Sequence, residues 1–275
     1  MIGVWALNIL GLLNKYILFK SYLKLQAMYK QILAFVLLVF SYGSVTSQEQ
    51  VYELRTYELE VFKSADILHN YIKDALILAL NRQGIAHIGV FEEESENLPS
   101  KLYLLIPYDN IEAFETSKDM LTKDAKYLED AAPYFNAPEE SMPFRKITTN
   151  LIRSTSGFPK LVKPTDDTNL FELRIYGSQS EDALRRKVKM FNDSEFGIFT
   201  DVGLPMVFFG YNIAGNQMPC LTYLLAFKDK AAHAEAWSKF DAHPEWARIT
   251  ELEEYANAMN DITRVFLKRL PYSQL

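Results

Sequence analysis

Hydrophobic and polar positions beyond residue 49 follow one succession of periods and then repeat it. Tyr52–Tyr57, written Tyr-Glu-Leu-Arg-Thr-Tyr, alternates with period two and predicts a strand. Ile67, Leu68, Tyr71, Ile72, Ala75, Leu76, Ala79 and Leu80 then recur at three- and four-residue spacing. That spacing predicts a helix over 62–84, with Ser64 as N-cap and Gly84 at C′. Ile85–Phe91, a charged turn and Lys101–Pro107 read as a hairpin. A broken helical pattern and a last strand, Phe144–Ser154, complete the order βαββαβ.

The second pass starts at Phe171–Tyr176, Phe-Glu-Leu-Arg-Ile-Tyr. A helical pattern follows, then strands over 205–214 and 220–227, further helix, and a final strand over Ile262–Leu270. Three strand landmarks stay nearly in register: Tyr52 and Phe171 are 119 residues apart, Tyr103 and Tyr223 120, Ile147 and Ile262 115. The chain is therefore expected to be an internal duplication. A βαββαβ unit is the ferredoxin-like plan, an antiparallel sheet with helices on one face. The expected fold class is α+β, with two tandem ferredoxin-like units packed sheet to sheet as an α/β barrel. Residues 48–160 form the first unit and 161–275 the second, joined through Pro159, Pro164 and Thr165–Asn169.

Charge changes the picture at the N-terminus. Residues 1–48 hold four Lys and no Asp or Glu, which leaves 25 basic and 35 acidic groups in the rest. That acidic remainder excludes a general nucleic-acid binder, which needs a concentrated basic surface. The start itself reads as a targeting segment: a basic stretch, the apolar run Ile32–Phe40, and small residues Val45 and Ser47 before Gln48. Residues 1–47 are expected to be a signal peptide, with Met28 an alternative start, and the mature protein to be periplasmic or extracellular. A retained anchor is the competing reading, although the run is short for a span of about 20 residues. Membrane contact is expected only through this segment. A single cysteine, Cys220, rules out an internal disulfide framework.

Strand alternation puts Tyr52, Leu54 and Thr56 opposite Glu53, Arg55 and Tyr57. The second copy sets Phe171, Leu173 and Ile175 opposite Glu172, Arg174 and Tyr176. The apolar set is expected to meet the helices and the Glu-Arg-Tyr set to line the enclosed barrel interior. Two uses of that lining stand side by side. One is a self-satisfied ion-pair network; the other is a pocket for a small anionic or carbonyl ligand.

The two Glu-Leu-Arg strands, the Tyr-Leu-Leu-Ala-Phe strand and Trp237–Ile249 resemble the NIPSNAP family. His243 stands where that family usually has Asp, before Pro-Glu-Trp. The resemblance covers about 168–273 well and about 49–160 more loosely. It implies the dimeric α/β-barrel superfamily. Its relatives range over cofactor-independent monooxygenases, haem enzymes and non-catalytic stress proteins, so function is left open.

Of the four histidines, His87 on the second strand is a candidate for the interior, and His243 is expected to cap a helix before Pro244. His69 reads as a surface or helix-packing residue and His233 as part of an exposed helix. No pair has metal-ligand spacing, and nucleotide-loop and serine-hydrolase motifs are missing. The expectation is an exported binder of a small ligand or partner, without cofactor or metal. The alternative is a cofactor-independent monooxygenase or isomerase. Further self-association is left open.

Overall fold

The computed structural model describes residues 20, 22, 24–26, 28–31 and 49–275. The chain divides into Met1–Thr46 and Ser47–Leu275. In the first unit the described residues are helical and exposed. Among the described residues no helix is long and apolar enough to cross a membrane. The apolar run Ile32–Phe40 and the expected exit before Gln48 lie outside them.

The second unit carries the duplication. Its first half runs β1 (Val51–Leu59), helix α1, β2 (Gly89–Glu93), β3 (Lys101–Tyr108), α2 (Ile111–Lys123), α3 (Ala125–Phe135) and β4 (Phe144–Ser154). The second half repeats it with β5 (Leu170–Gly177), helix α4, β6 (Met206–Ala214), β7 (Cys220–Phe227), α5 (Lys230–Asp241), α6 (Pro244–Thr250) and β8 (Asp261–Arg269). Helix α1 comprises Asp66–Asn70, a π-helical stretch Tyr71–Leu76, and Ile77–Arg82; α4 comprises Glu181–Met190, a π-helical stretch Phe191–Glu195, and Phe196–Val202. Both halves thus widen the first helix at the same place. Asn110 and Asp229, 119 residues apart, cap α2 and α5 by accepting the N–H of Ala113 and Ala232. Gly84 and Gly203 end the first helices with φ of 85° and 72°, where glycine carries no Cβ penalty. His243 caps α6 with Pro244 in its first turn.

The strands close into a barrel in the order β1-β3-β2-β8-β5-β7-β6-β4. Each half contributes four neighbouring strands in the ferredoxin-like order. The pairs β2–β8 and β4–β6, both antiparallel, seal the halves together. Closure leaves neither sheet with an edge to protect.

Two expectations need correction. The barrel interior is apolar, filled by Tyr52, Leu54, Phe91, Leu105, Phe171, Leu173, Phe208, Leu224 and Leu267. Arg55, Tyr57, Arg174 and Tyr176 do not line it; Tyr57 and Tyr176 belong to the two layers between sheet and helices. The alternation was right and the side assigned to each face was reversed. An eight-stranded barrel is just wide enough for side chains to fill, so it offers a guanidinium neither water nor partners. Helices supply both: their side chains reach back to the sheet, and the layer opens to solvent at its rim.

The second correction is a slip of register. Arg55 faces Leu104 and Arg174 faces Tyr223, so Leu104 is the counterpart of Tyr223. Tyr103 points into the barrel and Tyr223 under the helices. Aligning the two tyrosines at 120 residues shifts a strand by one position, which exchanges its faces. The offset of 115 for the last strand holds, since Tyr57 pairs with Ile147 and Tyr176 with Ile262.

The β4–β6 seam depends on close backbone approach. A Cβ on Gly210 would run into the Arg153 carbonyl oxygen, whereas one on Gly197 of α4 would meet nothing within 4 Å. Gly210→Ala is expected to destabilise the protein by about 1–3 kcal/mol through overpacking. Gly197→Ala is expected to be neutral or stabilising by up to about 1 kcal/mol. Denaturant midpoints of the two variants check the contrast, and equal midpoints would refute it.

Candidate functional site

Each copy of the strand phrase puts a carboxylate and a guanidinium two residues apart on the helix side of the sheet. What differs between the halves is who satisfies the carboxylate. In the first half Glu53 is closed on itself and its neighbours. Arg55 donates through Nε to Oε1 at 2.6 Å and through Nη2 to Oε2 at 3.2 Å. Oε2 also receives Lys118 Nζ at 2.7 Å and the Tyr108 hydroxyl at 3.1 Å. Burial pushes the Glu53 carboxyl up, but Arg55 and Lys118 outweigh it and hold it below the ordinary carboxylate range. Beside this cluster, aromatic rings fill the layer. Tyr71 stacks on Tyr134 with centroids 4.1 Å apart, and Phe144 meets Tyr57 edge-on at 5.3 Å.

The second half opens the same pair. Glu172 Oε2 receives Trp237 Nε1–H at 3.0 Å and lies 3.1 Å from His233 Nε2. Both partners sit on α5, one turn apart, so the helix draws the carboxylate away from its strand neighbour. Arg174 Nε is still 3.2 Å from Glu172 Oε1, but the two are misaligned and neither makes a hydrogen bond. Arg174 Nη1 instead donates to the hydroxyls of Tyr176 (3.0 Å) and Tyr223 (3.3 Å). The Tyr223 hydroxyl donates to Tyr176 at 2.7 Å. Tyr176 oxygen thus receives two protons, and its own proton is directed to neither donor. Arg174 Nη2 has no hydrogen-bond partner among the described residues. Its guanidinium lies 3.9 Å over the Trp237 ring, which fixes its plane.

These spare donors face a cavity of about 350 Å³ between sheet and helices. Phe199, Trp237, Phe240 and Trp246 supply aromatic walls, and Lys187 and Glu195 line it as well. Lys187 occupies the inward stripe of α4 with Ala183 and Met190. In a regular helix the residue seven positions on would share that stripe. The π-helical stretch inserts one more, and Glu195, eight on, takes the place. Lys187 Nζ meets Glu195 Oε1 at 2.5 Å, and both side chains are almost wholly buried. Burial pushes the Glu195 carboxyl up, against Lys187 and Arg174. Burial likewise pushes the Tyr176 phenol up to about 12, although Arg174 and Tyr223 pull it down.

Of the candidates read from sequence, Glu172, Arg174 and Tyr176 form one cluster, and Arg174 and Tyr176 line the cavity. Glu53 and Arg55 form the closed pair, and Tyr57 belongs to the packed layer beside it. His87 joins neither, because β2 starts only at Gly89. His87 is exposed in the turn before it, with φ of 59°, beside a separate surface groove of about 620 Å³. His233 belongs to the site and not to an exposed face. Lys187, Glu195, Tyr223 and Trp237 escaped the sequence reading. Lys187 left one trace, a charge in an apolar helical stripe. Glu195 left none, because its position depends on the helix widening. Among the described residues no group of His, Cys, Asp and Glu could hold a metal ion.

The family profile described as NIPSNAP matches residues 52–146 and again 171–274. No curated relative matches the chain. Among solved structures, a candidate monooxygenase from Fusobacterium nucleatum aligns with a TM-score of 0.54 at 11% identity, over 81% of this chain and 93% of its own. An uncharacterised NIPSNAP-like domain protein from Burkholderia xenovorans aligns at 18% identity and TM-score 0.34, over 38% of this chain and 87% of its own. A NIPSNAP-family protein of unknown function from Agrobacterium tumefaciens aligns at 16% identity and TM-score 0.33, over 39% and 93%. The first of these likenesses shows the shared barrel fold.

The closed cluster has a pH signature. A carboxyl held low in the fold adds stability that is complete above its unfolded value and is lost as pH falls through its folded value. Glu53→Gln is expected to cost about 3 kcal/mol at pH 7, leaving Arg55 without its bidentate partner. The gap from wild type should narrow on acidification, once Glu53 itself is protonated. Urea titrations at neutral and acid pH check this, and a gap that widens toward acid would contradict it.

Proposed function

The chain belongs to the NIPSNAP family, and from its open half we propose that it binds a small aromatic ligand through a carbonyl, phenolate or carboxylate oxygen. The observation that carries this is the pair of unspent donors in the cavity, Arg174 Nη2–H and Tyr176 O–H. Charge-assisted hydrogen bonds from a guanidinium select an anionic or strongly polarised oxygen. Aromatic walls select a flat apolar body, and the volume sits at the small end of ligand sites, about 300–1,000 Å³. The first half holds the same Glu-x-Arg phrase with the Arg55 fork already taken by Glu53, which restricts the ligand to one half.

Binding should depend on Arg174. A thermal-shift screen of small aromatic carboxylates and phenols is expected to give hits that stabilise the wild type. Arg174→Met keeps much of the volume and removes the donors. It should weaken those hits about ten- to hundredfold, the loss of a charged hydrogen bond of about 1.5–3 kcal/mol. Arg55→Met should lower the melting temperature and leave the hits in place. A screen without hits, or hits indifferent to Arg174, would remove the binding role.

We further propose that the barrel works outside the cytoplasm. Support comes from the acid-free, lysine-bearing start, the apolar run Ile32–Phe40 and the small residues before Gln48. Amino-terminal sequencing of protein from the native source should begin near Gln48; an uncleaved cytosolic chain would refute export.

A further inference from the structure

The two halves make the same π-helical turn with different chemistry. The widened turn ends at Leu76 in α1 and at Glu195 in α4, the same 119-residue offset that relates Gly84 to Gly203, so Glu195 stands where Leu76 stands in the closed half. Lys187 correspondingly stands where α1 has the buried Leu68. Two leucines therefore suffice at these positions to build the same turn, and the buried Lys187–Glu195 pair is not demanded by the fold. Burying such a pair is commonly neutral or destabilising against apolar residues of similar volume. It is found only where the layer opens into a cavity with unspent hydrogen-bond donors.

The carboxylate is also incompletely used. Lys187 holds Oε1, and Oε2 has no hydrogen-bond partner among the described residues. Glu195 lines the same cavity as Arg174 and Tyr176, and Lys187 Nζ lies 5.7 Å from the Tyr176 ring centroid. A proton acceptor and two oxyanion donors thus share one small, aromatic-walled space. We propose that Glu195 is the base of this cavity, abstracting a proton from the carbon beside the carbonyl of a small cyclic ketone. This rests on the ligand-binding role proposed for the cavity.

The step balances without a cofactor. Glu195 Oε2 takes the proton, and the C–H bonding pair becomes the carbon–carbon double bond of an enolate. The carbonyl π pair moves onto oxygen, which accepts hydrogen bonds from Tyr176 O–H and Arg174 Nη2–H. Lys187, on Oε1, orients the carboxylate and leaves Oε2 toward the substrate. Returning the proton to the same carbon is exchange; returning it further along a conjugated system is isomerisation. Nothing is oxidised or reduced.

The test uses the full chain, with 2-naphthol as a mimic of the enolate and 2-tetralone as the ketone. Hydrogen–deuterium exchange beside the tetralone carbonyl in heavy water, followed by NMR, is expected to exceed the buffer rate with wild type. Glu195→Gln keeps an acceptor for Lys187 and should lose exchange by about 100-fold or more. It should still bind 2-naphthol comparably, which a misfolded variant would not. Glu195→Asp keeps a carboxylate and should retain part of the exchange. If 2-naphthol binds wild type but no exchange exceeds buffer, or exchange persists in Glu195→Gln, the base assignment is overturned and the binding role survives. If 2-naphthol fails to bind, both fall together.

Discussion

A carboxylate buried between a sheet and its helices must have its oxygens satisfied, and this constraint organises both halves of the barrel. Glu53 is satisfied by its own strand neighbour, with Lys118 and Tyr108 completing the set. Glu172 has Oε2 satisfied by Trp237 and His233 from the helix, while Oε1 keeps only the nearby charge of Arg174. The consequence passes to the arginine two residues on. Arg55 is locked in a fork, whereas Arg174 turns to two tyrosine hydroxyls and keeps donors in reserve. A change of partner on a helix thus converts a closed ion pair into a guanidinium with spare donors without altering the strand that carries it.

The layer around each arginine follows the same logic. In the closed half, Tyr71, Tyr134 and Phe144 fill the space with stacked and edge-on rings, contributing packing and apolar burial. In the open half the rings stand back as walls around Arg174, Lys187 and Glu195. The barrel interior takes no part in this. Its filling by Tyr52, Phe91, Phe171 and Phe208 makes a rigid wall against which both polar layers are set.

Most of the fold was legible because strand and helix periods differ and each was repeated. Phe144–Ser154 and Cys220–Phe227 were bounded from alternation and turn residues alone. The direction of each strand's faces was not legible. Either face of Glu-Leu-Arg could have been turned inward, and only the narrowness of a closed barrel decides it. The Tyr103–Tyr223 match misled for a related reason, since identity of letters carries no information about which face a residue occupies. Arg174 and Tyr176 were found because they lie on the repeated strand. Glu195 and Trp237 were not, because helix partners are chosen by three-dimensional proximity and, for Glu195, by a widened turn that no residue type announces.

Covalent fusion of the halves has a consequence for how this molecule can change. In a barrel assembled from two identical chains, every substitution is made twice, so a binding group cannot be gained without disturbing its twin. Here the seams β2–β8 and β4–β6 join halves that vary independently. One half can hold the architecture while the other drifts toward new chemistry, and the molecule as a whole carries one open polar cavity where a symmetric barrel would carry two.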